Sequence, residues 1–114
     1  MLHIALHVVV PLAVALLFYR DRWPWATAIL VATMVVDADH LLADPIYDPN
    51  RCSIGFHPLH TVPAIVLYAA GFVGATVVRQ TAEAERLQSA AHGLHLVCLG
   101  LLIHMALDGL DCVA

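Results

Sequence analysis

Four apolar runs of nearly equal length, residues 2–19, 26–43, 61–78 and 93–114, make up most of this 114-residue chain. Each is close to the roughly 20 residues an α-helix needs to cross a bilayer. None carries the polar stripe that the wet face of a soluble bundle requires. The expected fold is therefore all-α: an integral membrane four-helix bundle, up-down-up-down with short loops, forming one transmembrane domain over residues 1–114. Its helices are expected at about 2–19, 26–43, 58–78 and 93–113. Composition agrees, with 61% hydrophobic and 12% charged residues, where a soluble domain is nearer half apolar and a quarter charged. A soluble four-helix bundle is the competing fold. The first run has no basic leader and no small-residue cleavage site before Arg20-Asp21-Arg22, so it reads as a mature helix.

Punctuation between the runs supports this division. Trp23-Pro24-Trp25 marks an interfacial turn, and Pro11 bends the first helix locally. Residues 44–56 are rich in turn formers, Pro58 suits a first helical turn, and residues 79–91 are polar and helix-prone. There is no lysine. Arg20, Arg22, Arg79 and Arg86 fall in the two connections that share one side, with Arg51 alone on the other. The positive-inside rule makes the four-arginine side cytoplasmic and the termini outward-facing, which for an inner (cytoplasmic) membrane means periplasmic. So few basic residues disfavour nucleic-acid binding. The bilayer is the first partner expected, and a bundle this small suits homo-oligomerisation.

The polar residues sit where such a protein tolerates them least. His104, Asp108 and Asp111 recur at i, i+4 and i+7 and line one helix face. An Asp at the centre of a membrane helix costs about 2.5–3.5 kcal/mol, and neighbouring carboxylates resist joint ionisation. A dication removes that conflict; histidines on other helices bonded to the carboxylates without metal are the alternative. In an up-down bundle, His3 and His7, then Asp37, Asp39 and His40, then His57 and His60, all fall at the same end as His104. His7, Asp37 and Asp108 each lie about 9 Å inside their helix ends. His92 and His95 fall at the opposite end and read as interfacial.

Mixed imidazole and carboxylate donors suit zinc first, with iron, manganese or nickel as alternatives. The donors outnumber the four that one zinc takes, so one or two ions fit, two of them sharing a bridging carboxylate and clamping both oxygens of a displacement. No H-E-x-x-H and no G-x-S-x-G is present, which disfavours zincin and serine-hydrolase chemistry. A haem or redox protein is a third reading of the paired histidines, although haem leaves the acids unexplained. Cys52 and Cys112 fall on the outward side, where a disulfide is sterically conceivable and redox-permitted; spacing leaves open whether they pair.

These motifs resemble those of the YdjM-like inner-membrane metal-dependent hydrolases. That family has an early His in helix one, D-x-D-H ending helix two, a His-rich middle segment and a late H-x-x-x-D. Here His7 (or His3), Asp37-Ala38-Asp39-His40 and His104 with Asp108 correspond; His57-Pro58-Leu59-His60-Thr61 is shorter and lacks the family's glycine. The whole chain also resembles small bacterial membrane proteins carrying D-P-I-Y-D-P-N-R-C-S-I-G-F-H-P-L-H.

The resemblance implies metal-dependent hydrolysis of a lipid or phosphoester at the outer end of the bundle. His7, Asp37, Asp39, His40, His57, His60, His104 and Asp108 are the expected metal ligands. Asp39 and Asp111 are the carboxylates assigned to catalysis, Asp39 as bridge or base and Asp111 as a further ligand or one that orients a ligand. Arg51 would hold an anionic substrate group. The alternative is a protein that binds or passes a divalent metal without chemistry.

Overall fold

The computed structural model of the chain describes residues 2–42, 52, 54, 55 and 57–113, with the side chains of all but residues 2–4, 38–42, 111 and 113. Among the described residues there are four α-helices and no strand: α1 (Leu2–Phe18), α2 (Trp23–Ala32), α3 (Val62–Thr81) and α4 (Glu85–Val113). Successive helices run in opposite directions. The end of α1 and start of α2 meet the end of α3 and start of α4, and the start of α1, the chain beyond α2, the start of α3 and the end of α4 gather at the opposite pole. Pro11 lies inside α1, while Pro24 and Pro63 occupy first-turn positions of α2 and α3, where a missing N–H leaves no bond unmade.

Two elements differ from the expected helices. Beyond Ala32 the second helix tightens into a 3-10 helix, Thr33–Leu42. The change begins at Thr33, whose buried hydroxyl donates to the Leu30 carbonyl at 2.6 Å; such local bonding competes with the α-helical ladder. Helix α4 starts at Glu85 rather than near residue 93, because the polar residues before Gly93 continue its first two turns. Gln88 helps close that start through its side-chain amide on the Ala82 carbonyl. At 29 residues and 1.5 Å per residue, α4 is about 43 Å long and nearly spans the 48 Å long axis of the molecule.

Helix α4 packs against each of the other three, and α1 packs against α2. One core cluster, Ala15, Ala26, Leu30 and Leu96, joins α1, α2 and α4. A second, Val36, Tyr68 and Met105, joins the 3-10 segment to α3 and α4. The tightest approach is at Gly100, where a Cβ would lie 2.6 Å from Thr33 Oγ1 and 3.1 Å from the Leu30 carbonyl oxygen. The outer surface is apolar: Leu17, Phe18, Val35 and Leu67 are 74, 73, 75 and 69% exposed. Two helices, Val62–Thr81 and Glu85–Leu110, are long and apolar enough to cross a membrane, and α1 is a shorter apolar helix.

Candidate metal centre

Three segments deliver the four donors that lie closest together. The 3-10 helix carries Asp37, a one-turn 3-10 helix at Pro58–His60 carries His60, and α4 carries His104 and Asp108. His104 and Asp108 are one turn apart on one face, as the i, i+4 spacing dictates. His60 is positioned by a compact turn ahead of α3. Pro58 initiates this separate turn, and α3 itself begins only at Val62. The His60 amide donates to the His57 carbonyl at 2.9 Å, and the Gly55 amide donates to the His60 carbonyl at 3.0 Å. Gly55 closes the turn with φ +84°, a left-handed conformation that glycine alone adopts without strain. From α3, the Tyr68 hydroxyl donates to the Leu59 carbonyl at 2.8 Å.

His60 Nε2 and His104 Nε2 lie 3.4 Å apart. Asp37 Oδ1 is 3.3 Å from the first and 2.9 Å from the second. Asp108 Oδ2 is 3.0 Å and 3.1 Å from the same two nitrogens. The four residues form a group whose donor atoms all lie within 4.8 Å of one another. Ligands held tetrahedrally at zinc distances of 2.0–2.1 Å are separated by about 3.3 Å. The donor set and its spacing therefore fit a divalent transition metal, and nothing in the spacing distinguishes which one. His60, His104 and Asp108 are buried, whereas the Asp37 side chain is 33% exposed and stands at the open side.

His7 reaches the group from α1, with Nε2 3.2 Å from Asp108 Oδ1 and its ring edge-on to His104 at 4.5 Å. Asp108 thus serves His60 and His104 with one oxygen and His7 with the other. His57 is buried against His60, ring centroids 5.7 Å apart, but belongs outside the four-donor group. The side chains of His3, Asp39, His40 and Asp111, and all of Arg51, lie outside the described residues. Cys52 and Cys112 form a disulfide, with Cα atoms 5.1 Å apart. It ties the segment leading to His60 to the end of α4, four residues past Asp108.

His92 and His95 lie at the pole opposite the four donors, and the bundle encloses His95. That ring is 3% exposed, and both its nitrogens are hydrogen-bonded, to Tyr19 and Thr76. The signal lay in the i, i+3 spacing of two histidines on a face that also meets Tyr19 and Arg79; reading it required knowing which helices converge there.

A family model described as DUF6122, a family of unknown function, matches residues 1–82. The matched segment includes His7, Asp37 and His60, while His104 and Asp108 follow it. No curated protein and no solved structure matches the chain.

Proposed function

We propose that this chain, which belongs to the DUF6122 family, is a four-helix membrane metalloprotein that hydrolyses a phosphoester or lipid at the pole where His60, His104 and Asp108 meet. The observation that carries the reading is the near-tetrahedral set of four donors, 2.9–3.4 Å apart along five of its edges. A divalent ion bound there supplies Lewis acidity and lowers the pKa of water. The three buried side chains, two histidines and one carboxylate, would hold the ion. In this reading only the three buried residues would be ligands, and Asp37, the exposed member of the set, would accept a proton from attacking water. His7 orients Asp108 through its second oxygen, the outer-shell role that sharpens metal affinity. His7 and Asp108 would be the residues to hold a second ion. The motif resemblance to inner-membrane metal-dependent hydrolases supports the same chemistry.

Two features support a membrane setting: the apolar helices long enough to span and the large side chains exposed around them. A disulfide near the metal pole suits an oxidising compartment, and arginines at the other pole suit the cytoplasm. In the proposed setting the metal pole faces the periplasm across a bacterial inner membrane.

A second reading is favoured by the closure of the donor set. Four protein ligands fill a tetrahedral site, whereas catalytic sites keep a position open. In that reading the protein captures or passes a divalent ion without chemistry. Elemental analysis of purified protein, followed by turnover assays with phosphoesters, separates these readings. Hydrolysis predicts a stoichiometric transition metal and turnover that is lost in Asp108→Ala but kept in Arg86→Ala. Stoichiometric metal with no turnover favours capture. Protein that takes up no transition metal even on reconstitution ends both.

A further inference from the structure

The pole opposite the metal centre holds a second built cluster that the proposed hydrolysis does not use. Its spine is a column of rings. Phe72 of α3 stacks on His95 of α4, with centroids 4.6 Å apart. His95 stacks on His92 at 6.0 Å, and His92 stacks on Trp25 of α2 at 5.5 Å. Arg22 caps the outer end, its guanidinium carbon 4.7 Å from the centre of the Trp25 ring. The column thus runs from the buried His95 to the exposed Trp25 and Arg22.

Hydrogen bonds fix the roles of its members. The Thr76 hydroxyl donates to the Phe72 carbonyl at 2.7 Å, so it accepts from His95 Nδ1, also at 2.7 Å. Tyr19 Oη closes the other side of His95 on Nε2 at 2.5 Å. Arginine has donors only. His92 Nδ1 therefore accepts from Arg79 at 2.9 Å and the His92 ring is neutral, its proton on Nε2. The charge at this cluster is that of two guanidiniums, Arg22 over Trp25 and Arg79 at the edge of His92. Arg79 donates to His92 and also hydrogen-bonds Tyr19, and a cation–π contact leaves the N–H donors of Arg22 for another partner. Among the described residues neither arginine forms an ion pair with a carboxylate.

Two guanidiniums without a carboxylate partner, Arg22 over Trp25 and Arg79 on His92, flank one ring stack and match an oxyanion that accepts several hydrogen bonds, above all a phosphate. The surroundings narrow the source. Leu17 and Phe18, 74 and 73% exposed, lie in the last turn of α1 directly before Tyr19. They give apolar surface to chains attached to such a phosphate, and Trp25 belongs at headgroup level. We infer that Arg22 and Arg79, aligned by the Trp25–His92–His95 column, form a phosphate site that holds the headgroup of an anionic phospholipid. The inference does not depend on the metal centre.

Native mass spectrometry of the full chain, released from detergent with added phosphatidylglycerol, tests it. The parent is expected to retain the lipid. Each charge-assisted contact contributes roughly 1.5–3 kcal/mol, so Arg22→Gln or Arg79→Gln should weaken retention about tenfold or more. Arg22→Lys/Arg79→Lys should recover only part of the loss, because the fork is gone while the charge remains. Arg86→Gln, exposed on α4 and outside the column, should match the parent. Equal losses in Arg86→Gln and Arg79→Gln would mean diffuse surface attraction and overturn the site. Displacement of the lipid by an equal concentration of inorganic phosphate would make free phosphate the ligand and overturn the headgroup assignment. Unchanged helical circular dichroism in each variant shows that any loss is local.

Discussion

Gly100→Ala is expected to loosen the bundle and, through it, the metal centre. The new Cβ would sit 2.6 Å from Thr33 Oγ1, 2.8 Å from Thr33 Cγ2 and 3.1 Å from the Leu30 carbonyl oxygen. Thr33 cannot swing aside cheaply, because it is buried and its hydroxyl is bonded to that same carbonyl. Overpacking of this kind costs about 1–3 kcal/mol, against a helix-propensity gain of about 1 kcal/mol for replacing glycine by alanine. The net is a loss of about 0–2 kcal/mol. Gly93 in the same helix provides the control, since a Cβ there meets nothing within 4 Å; Gly93→Ala should be neutral or slightly stabilising. Thermal unfolding in one detergent should therefore separate the two variants by on the order of 2 kcal/mol. Adding Thr33→Ala removes two of the three close atoms and should restore much of the loss, with the backbone contact keeping the rescue partial. Asp37 follows Thr33 by four residues, so Gly100→Ala should also weaken metal binding, whereas Gly93→Ala should leave it unchanged. Coincident unfolding of the two glycine variants would refute the close α2–α4 approach on which this reasoning rests.

His7→Ala should lower metal affinity about 10–100-fold while leaving stoichiometry unchanged; a fall from two ions to one, read by elemental analysis, would instead make His7 a ligand. Gly55→Ala forces a left-handed conformation on an L-residue, a cost of about 1–2 kcal/mol, which metal titration should register as weaker binding through a displaced His60. Tyr68→Phe removes the donor to the Leu59 carbonyl, worth about 1 kcal/mol, and should reduce metal affinity several-fold without changing the helical circular dichroism signal. Cys52→Ser/Cys112→Ser opens a loop with sequence separation 60; the chain-entropy model sets the destabilisation at about 4 kcal/mol, measurable as a lower unfolding midpoint that added reductant does not lower further.

Much of this molecule was legible from residue spacing. The four apolar runs located the helices, and alternating direction alone brought His7, Asp37, His60 and His104 to one pole. Where the sequence reading departed from the structure, local chemistry was the cause. Thr33 diverts a carbonyl bond and tightens the second helix, a choice that hydrophobic pattern does not encode. Residues 85–92 are polar, so the apolar run understated α4, although polarity is no barrier to helix at an exposed terminus. The narrowing of the donors to Asp37, His60, His104 and Asp108 depended on ångström-scale placement, beyond the reach of spacing on separate helices. The Tyr19–His95–Thr76 network is not evident from spacing because its members come from α3, α4 and the turn after α1, and only their convergence gives them meaning.

The Cys52–Cys112 bond makes the chain from residue 52 to residue 112 a covalent ring. His60, His104 and Asp108 lie on that ring; Asp37 and His7 do not. The three buried donors are therefore topologically captive to one another, while the exposed one arrives from a separate arm. A single backbone cut between α3 and α4 opens the ring yet leaves all three captive donors on covalently joined pieces. Separating α1 and α2 from the ring would remove Asp37 and His7 together, leaving the two-histidine, one-carboxylate set without its lid and without its brace.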